Sequence, residues 1–256
     1  MSSKPTVILV PGAWHTEHTY HKLVPDLERR GYKTRAIRNP SLGKPAADGL
    51  VEKDAEHLRS VIDPYLAAGT DVIVAAHSYG GGVLSPALAD YSWKKDEGGK
   101  GRVLGLVYIA AFILPEGKTF AQTMYPPNGE SNMKADENGF LPPPDPHVFY
   151  NDLPESEQRE LYAGLLPQPG NIGTEVGRGA PWQRVPTVYV KTAQDIILPA
   201  DVQQRMVDAV EGGEKMRVVL LDSSHSPMLS MPEKVGDAVA LAEELGRARL
   251  AEEGLA

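Results

Sequence analysis

The chain has 256 residues, 41% hydrophobic and 23% charged, with 26 basic side chains against 34 acidic ones and no cysteine. This length suits one large α/β domain with an insertion, and a net charge of −8 argues against a general nucleic-acid surface. The lack of cysteine removes disulfides, thiolate catalysis and cysteine-ligated zinc.

The first segment, TVILV at 6–10, is a β-branched run ended by Pro11-Gly12. It is shorter than the ~7–15-residue core of a signal peptide and reads as a buried strand entering a turn. No stretch approaches the ~20 apolar residues of a membrane span, so a soluble, cytoplasmic protein without a membrane partner is expected. Residues 18–30 carry Tyr20, Leu23, Val24 and Leu27 near helical spacing and stop at Gly31, which predicts a helix. YKTRAI at 32–37 is the next strand, and 49–67 the next helix. DVIVAA at 71–76 is a strand with nothing polar inside it, as expected when helices cover both faces. A helix follows over 80–91, then a charged, glycine-rich loop over 92–102, and VLGLVYIAAFI at 103–113 holds another central strand.

The rhythm then breaks. Residues 114–186 are rich in proline and glycine (PPNGES, FLPPPDP, LLPQPGN), with one helical stretch predicted over 155–166. An irregular insertion of this length in a compact domain is expected to be a functional lid. Phe140, Phe149, Tyr150, Tyr162 and Trp182 supply apolar bulk that a disordered linker would lack. Regularity returns with a strand at 187–193, a helix at 199–210, a strand at 217–222 and a final helix at 232–250. The alternation predicts an α/β fold: a mostly parallel central sheet with helices on both faces, built from 1–113 and 187–256, with 114–186 as an inserted cap.

HSYGGG at 77–82 nearly spells G-x-S-x-G, the strand-to-helix elbow that presents a serine nucleophile. Positions two before and two after the serine must be small, and here they are Ala76 and Gly80. Taken alone, Ser78 also fits a helix N-cap at a strand end. A serine hydroxyl needs a base, and the base an orienting acid, in the chain order Ser, Asp or Glu, His. Asp195 follows the strand at 187–193, and His225 follows the strand at 217–222. Both, like Ser78, sit at carboxyl strand ends, the edge where α/β proteins place their sites. Asp222 and Glu116 are rival acids, and Asp195 could equally cap the turn before Ile196. An oxyanion hole would use the N–H of Tyr79 and that of Ala13, since Pro11 has none to give. His15, His18 and His21 recur every three residues without a carboxylate cluster, so no metal is expected; His15 is expected to line the pocket and His77 to pack beside the elbow.

The segments VILVPGAWH, HSYGGGVL, VYIAAFILP, FYNDLP, TAQDIILP and SSHSPMLSMPEKV resemble the α/β-hydrolase superfamily, within it the small esterase and hydroxynitrile-lyase-like group. The resemblance spans nearly the whole chain. It implies an α/β-hydrolase fold, a Ser78–Asp195–His225 triad, a cap after the strand ending near Ala111, and no cofactor. Two departures from the pattern are Pro11 in place of the common histidine and Ala76 in place of the first elbow glycine. The similar lyases carry threonine where this chain has Gly12 and lysine where it has Ser226, which favours ester or lactone hydrolysis over cyanohydrin cleavage. The expected enzyme is a serine esterase or lactonase for a small, fairly apolar substrate, with Gly12, Trp14, His15, Phe149, Tyr150 and Trp182 around the substrate. A lyase and a triad-retaining small-molecule receptor are the alternatives. A homodimer is compatible with the sequence, but no segment specifies an interface.

Overall fold

Strand β1 (Thr6–Val10) is buried along its whole length, because every one of its residues faces a layer of helix. It leads through a short 3-10 turn (Glu17–Tyr20) into α1 (Leu23–Arg29), β2 (Lys33–Ala36), α2 (Leu50–Ala67), β3 (Val72–His77), α3 (Tyr79–Ala87) and β4 (Val103–Ile109). After the irregular stretch that carries α4 (Phe120–Met124), β5 (Phe140–Leu141), α5 (His147–Tyr150), α6 (Glu155–Ala163) and β6 (Gln168–Pro169), the chain closes with β7 (Thr187–Thr192), α7 (Ala200–Asp208), β8 (Arg217–Leu221), α8 (Pro227–Ser230) and α9 (Pro232–Glu252). The computed structural model describes residues 3–91, 93, 101–125 and 134–254, so most of the expected loop at 92–102 and the PPNGES stretch lie outside the described residues.

Six strands form one parallel sheet in the order β2-β1-β3-β4-β7-β8. Two glycines show how the helices close on it. A Cβ at Gly105 would lie 3.0 Å from the Cβ of Ala242 on α9, while a Cβ at Gly81 on α3 would lie 3.1 Å from the Tyr108 ring. Residues 105 and 108 point to opposite faces of β4, so α9 and α3 cover opposite faces of the sheet. Among the described residues no helix is long and apolar enough to cross a membrane.

The elements depart from the sequence reading in places that chain chemistry explains. The helix expected over 18–30 is split into the 3-10 turn and α1, because Pro25 tolerates only the first helical turn and its ring would meet the carbonyl of residue 21 in a longer helix. The helix predicted over 80–91 ends at Ala87, one residue after Pro86. The one predicted over 155–166 ends at Ala163, before Gly164.

Between β4 and β7 the chain builds a small layer of its own over the carboxyl edge of the sheet. Phe140 and Leu141 pair antiparallel with Pro169 and Gln168. Trp14, just past β1, ties this ribbon down: its N–H reaches Gln168 Oε1 at 3.2 Å, its indole N–H reaches the Leu141 carbonyl at 2.9 Å, and its carbonyl accepts from Leu166 N–H at 2.9 Å.

Candidate active site

Among the described residues, three non-glycine residues have positive φ: Trp14 at 63°, Ser78 at 51° and Ala110 at 42°. They follow β1, β3 and β4 on the same sheet edge, and strain of this kind persists only where surrounding structure enforces it. At Ser78 (φ 51°, ψ −121°) the enforcement is visible. Its N–H donates to the Ile109 carbonyl at 3.1 Å, and its carbonyl accepts from Gly81 and Phe112, both at 3.0 Å. Gly80 lies so close to β1 that a Cβ there would be 2.7 Å from the Val10 carbonyl oxygen and 2.8 Å from that of Pro11. Gly12 approaches from the other side, where a Cβ would lie 2.9 Å from both Ser78 Cβ and His77 Nδ1. The strand-turn-helix form at Ser78 is therefore built with Ala76 in the first small position.

Asp195 and His225 meet directly. Asp195 Oδ2 lies 2.7 Å from His225 Nδ1, and both side chains are buried. The same oxygen accepts from the Thr192 hydroxyl at 3.0 Å and from Gln203 Nε2 at 3.2 Å. Oδ1 accepts the Leu198 N–H at 2.8 Å. Capping the turn and holding the imidazole, which the sequence presented as alternatives, fall to separate oxygens of one carboxylate. The rival acids are engaged elsewhere: Asp222 with Gln194 at 2.8 Å and Glu116 with the Gly179 N–H at 3.0 Å.

His77, the residue before Ser78, holds the backbone of His225. Its Nε2 is 2.9 Å from the His225 carbonyl oxygen, which can only accept, so Nε2 carries the proton. Among the described residues Nδ1 has no hydrogen-bond partner, and burial, with His225 and His15 nearby, keeps the ring neutral by pushing its pKa well below the usual histidine value.

Ser78 and His225 open into one pocket of about 580 Å³, counted out to its mouth. Its walls are Ala13, Trp14, Tyr79, Phe112, Ile197 and Leu198 from the sheet edge, and Phe120, Ala121, Met124, Tyr125, Leu141, Ile172 and Gly173 from the layer above. Among the described residues that line it, His225 is the one imidazole, and none of the named walls carries a carboxylate, ammonium or guanidinium group. Among the described residues, neither the Ala13 N–H nor the Tyr79 N–H donates to a protein acceptor. For Tyr79 this follows from its place in the first turn of α3. Its phenol is fixed by Asp54 Oδ2 at 2.7 Å, and Asp54, buried and also holding Ser41 at 2.6 and 2.8 Å, has its pKa raised by burial.

Of the residues expected around the substrate, Trp14 lines the pocket, whereas Gly12, His15, Phe149, Tyr150 and Trp182 do not. Gly12 packs behind Ser78. Phe149 and Tyr150 are 1% exposed and form a layer behind His15 and His225. Trp182 precedes β7, at the opposite end of that strand from Asp195, and donates its indole N–H to the Glu211 carbonyl at 3.1 Å. Phe149, Tyr150 and Trp182 lie in the core, where burial of a large ring is worth more than a place at a wet mouth. Phe112 and the face of α4 also line the pocket and are not among the residues expected from the sequence. Phe112 was findable from the carboxyl-edge rule, and α4 from its T-x-x-Q capping box at Thr119 and Gln122. Among the described residues no cluster of His, Asp or Glu forms a metal site; His18 and His21 stack on each other at 4.7 Å, and His15 is turned inward.

A family model described as the alpha/beta hydrolase family matches residues 7–238. The chain is 30% identical to Probable hydrolase R7 of Phoma sp., over 93% of this chain and 98% of that protein. It is 31% identical to the Pyrethroid hydrolase of Sphingobium wenxiniae, over 91% of this chain and 86% of the relative. Among solved structures, a pyrethroid hydrolase from Sphingobium faniae superposes with a TM-score of 0.71 at 25% identity, covering 94% of this chain and 97% of that one. A sheet of this order, an elbow of this shape and matches over nearly the full length agree: the chain belongs to the alpha/beta hydrolase family.

Proposed function

We propose that the protein is a carboxylic ester hydrolase that takes a neutral, largely apolar ester or lactone through an acyl-enzyme. The observation that carries this reading is the strained Ser78 sharing an apolar pocket with His225, whose Nδ1 is held 2.7 Å from Asp195. His225 Nε2 takes the Ser78 proton as Oγ adds to the carbonyl carbon, and then gives it to the departing alcohol oxygen. Water, deprotonated by the same nitrogen, attacks the acyl carbon and restores the Ser78 hydroxyl. Asp195 keeps the proton on Nδ1 and stabilises the imidazolium between the two half-reactions. The N–H groups of Ala13 and Tyr79 receive the oxyanion.

In this reading residues 114–186 are the cap, and Phe120, Met124, Leu141 and Ile172 enclose the apolar part of the substrate. The relatives' names favour the same chemistry, a pyrethroid hydrolase and the methyl jasmonate esterase of Vitis vinifera among them. A side chain at position 12 would collide with Ser78 and His77, which works against the threonine-bearing lyase arrangement.

The test is intact-mass analysis after a fluorophosphonate probe, with turnover of a short p-nitrophenyl ester, in wild type and Ser78→Ala. One label per chain and ester turnover, both lost in Ser78→Ala, are expected. A wild type that does neither overturns the hydrolase; cyanohydrin cleavage would then mark a lyase, and ligand binding retained in Ser78→Ala a receptor.

A further inference from the structure

The layer behind the active site contains a short segment, 149–152 (FYND), that touches all three loops carrying the proposed machinery. Tyr150 Oη lies 2.8 Å from His15 Nε2, and His15 Nδ1 lies 2.6 Å from the Ala13 carbonyl. A carbonyl only accepts, so Nδ1 carries the proton, Nε2 is a lone pair, and the phenol donates to it. Burial supports this assignment by lowering the His15 pKa to about 4, so the ring stays neutral. Asn151 Nδ2 donates to the Gln194 carbonyl at 3.0 Å, one residue before Asp195. Asp152 Oδ2 accepts the Ser224 N–H at 2.9 Å, one residue before His225, and the Phe149 carbonyl accepts from the Ser224 hydroxyl at 3.1 Å.

We propose that residues 149–152 are a clasp that sets the relative positions of the oxyanion loop, the acid loop and the histidine loop, with Tyr150 and Asp152 as its positioning residues. The clasp reaches Ala13 through His15, and reaches Asp195 and His225 through the backbone beside each. None of its side chains lines the pocket, so its effect is on the geometry of reaction and not on substrate affinity. The β-strands fix only where each loop begins; the turns beyond them need a second anchor to hold donors and acceptors to the sub-ångström tolerance that catalysis requires.

This inference rests on the hydrolase reading, and its test separates the two. The kcat and KM for p-nitrophenyl butyrate are measured in wild type, Tyr150→Phe, Asp152→Ala and Asp152→Asn, with amide hydrogen exchange at Ser224. Loss of one such hydrogen bond is expected to lower kcat about three- to tenfold in Tyr150→Phe and in Asp152→Ala, with KM unchanged. Asp152→Asn keeps an acceptor and restores kcat, and Asp152→Ala speeds exchange at Ser224. Wild-type kcat in both Tyr150→Phe and Asp152→Ala overturns the clasp and leaves the hydrolase standing. If wild type itself turns over no ester, the hydrolase reading fails and exchange decides the clasp: faster at Ser224 in Asp152→Ala upholds it as a tether, unchanged overturns it. Should Asp152→Ala not fold, Tyr150→Phe alone decides, by kcat and by exchange at Ala13 and Trp14.

Discussion

Asp195 shares one carboxylate between two tasks, Oδ2 at 2.7 Å from His225 Nδ1 and Oδ1 at 2.8 Å from the Leu198 N–H. The oxygen facing His225 is also met by two further donors, Thr192 and Gln203. In Asp195→Asn an amide nitrogen must go to one oxygen position. Placed toward His225, it offers a donor to Nδ1 and moves the imidazole proton to the nitrogen that should serve as base. Placed toward Leu198, it opposes the backbone N–H. Turnover is expected to fall by about 10³–10⁴-fold in this variant, with a cooperative unfolding transition retained. Steady-state ester hydrolysis and a thermal melt check both halves. Activity near wild type would return the acid role to Asp222 or Glu116.

The elbow makes unequal demands on its two flanks. A Cβ at Gly80 would press on two backbone carbonyls, which cannot rotate away as a side chain can. Gly80→Ala is therefore expected to cost about 1–3 kcal/mol of stability and to lower turnover by displacing the loop that holds Ala13. Ala76 sits inside β3, fully buried and paired with Val10 and Tyr108 on its two neighbouring strands. Ala76→Gly, which completes the usual motif, gains no freedom that the strand needs and is expected to lose about 0.5–1 kcal/mol. Urea unfolding of the two variants beside wild type tests the asymmetry; equal losses would mean that the close approach at Gly80 is relieved by backbone movement.

What could be read from the sequence was what short-range chemistry decides. A β-branched run before Pro-Gly had to be a strand, and three carboxyl strand ends had to share an edge once the strands were parallel. The same rule places Ser78, Asp195 and His225 together at that edge. The walls contributed by the layer above the sheet edge were not legible, because residues 114–186 carry no hydrophobic period and their placement rests on distant partners. The two-residue strands β5 and β6 are joined only across more than twenty residues, and both are anchored by Trp14. Phe149, Tyr150 and Trp182 stand out in the insertion by size, and size does not distinguish a pocket wall from a core residue. Tyr150 shows the difference: its one polar atom is spent on His15, which a substrate-facing tyrosine would leave open.

Trp182, 5% exposed and packed edge-on to Tyr108 at 6.3 Å, belongs to the core under β4 and β7. Trp182→Ala is expected to cost about 3–5 kcal/mol of stability and to leave the ratio of long to short ester turnover unchanged in the folded fraction. Met124 lies on the pocket wall and is only partly buried. Met124→Ala opens that wall, and kcat/KM for p-nitrophenyl octanoate over butyrate is expected to rise about tenfold with little change in melting temperature. A changed ratio in Trp182→Ala, or an unchanged one in Met124→Ala, would reverse the assignment of the walls.

The buried imidazoles also set how stability responds to pH. Burial holds the His15 pKa at about 4, against 6.5 for an exposed ring, and depresses that of His77 as well. Between those values the unfolded chain binds protons that the folded chain refuses. Stability is therefore full above the unfolded value and is lost as pH falls toward the folded one. For His15 the loss is on the order of 3 kcal/mol across that window. Asp54 acts in the opposite sense: burial raises its pKa, so acid favours its folded form and offsets part of the histidine loss. Urea midpoints measured at about pH 7.5, 6 and 5 are expected to fall in that order. A midpoint that stays level would mean that His15 and His77 take up protons in the folded protein, and with a protonated His15 the Tyr150 phenol would lose the lone pair it donates to.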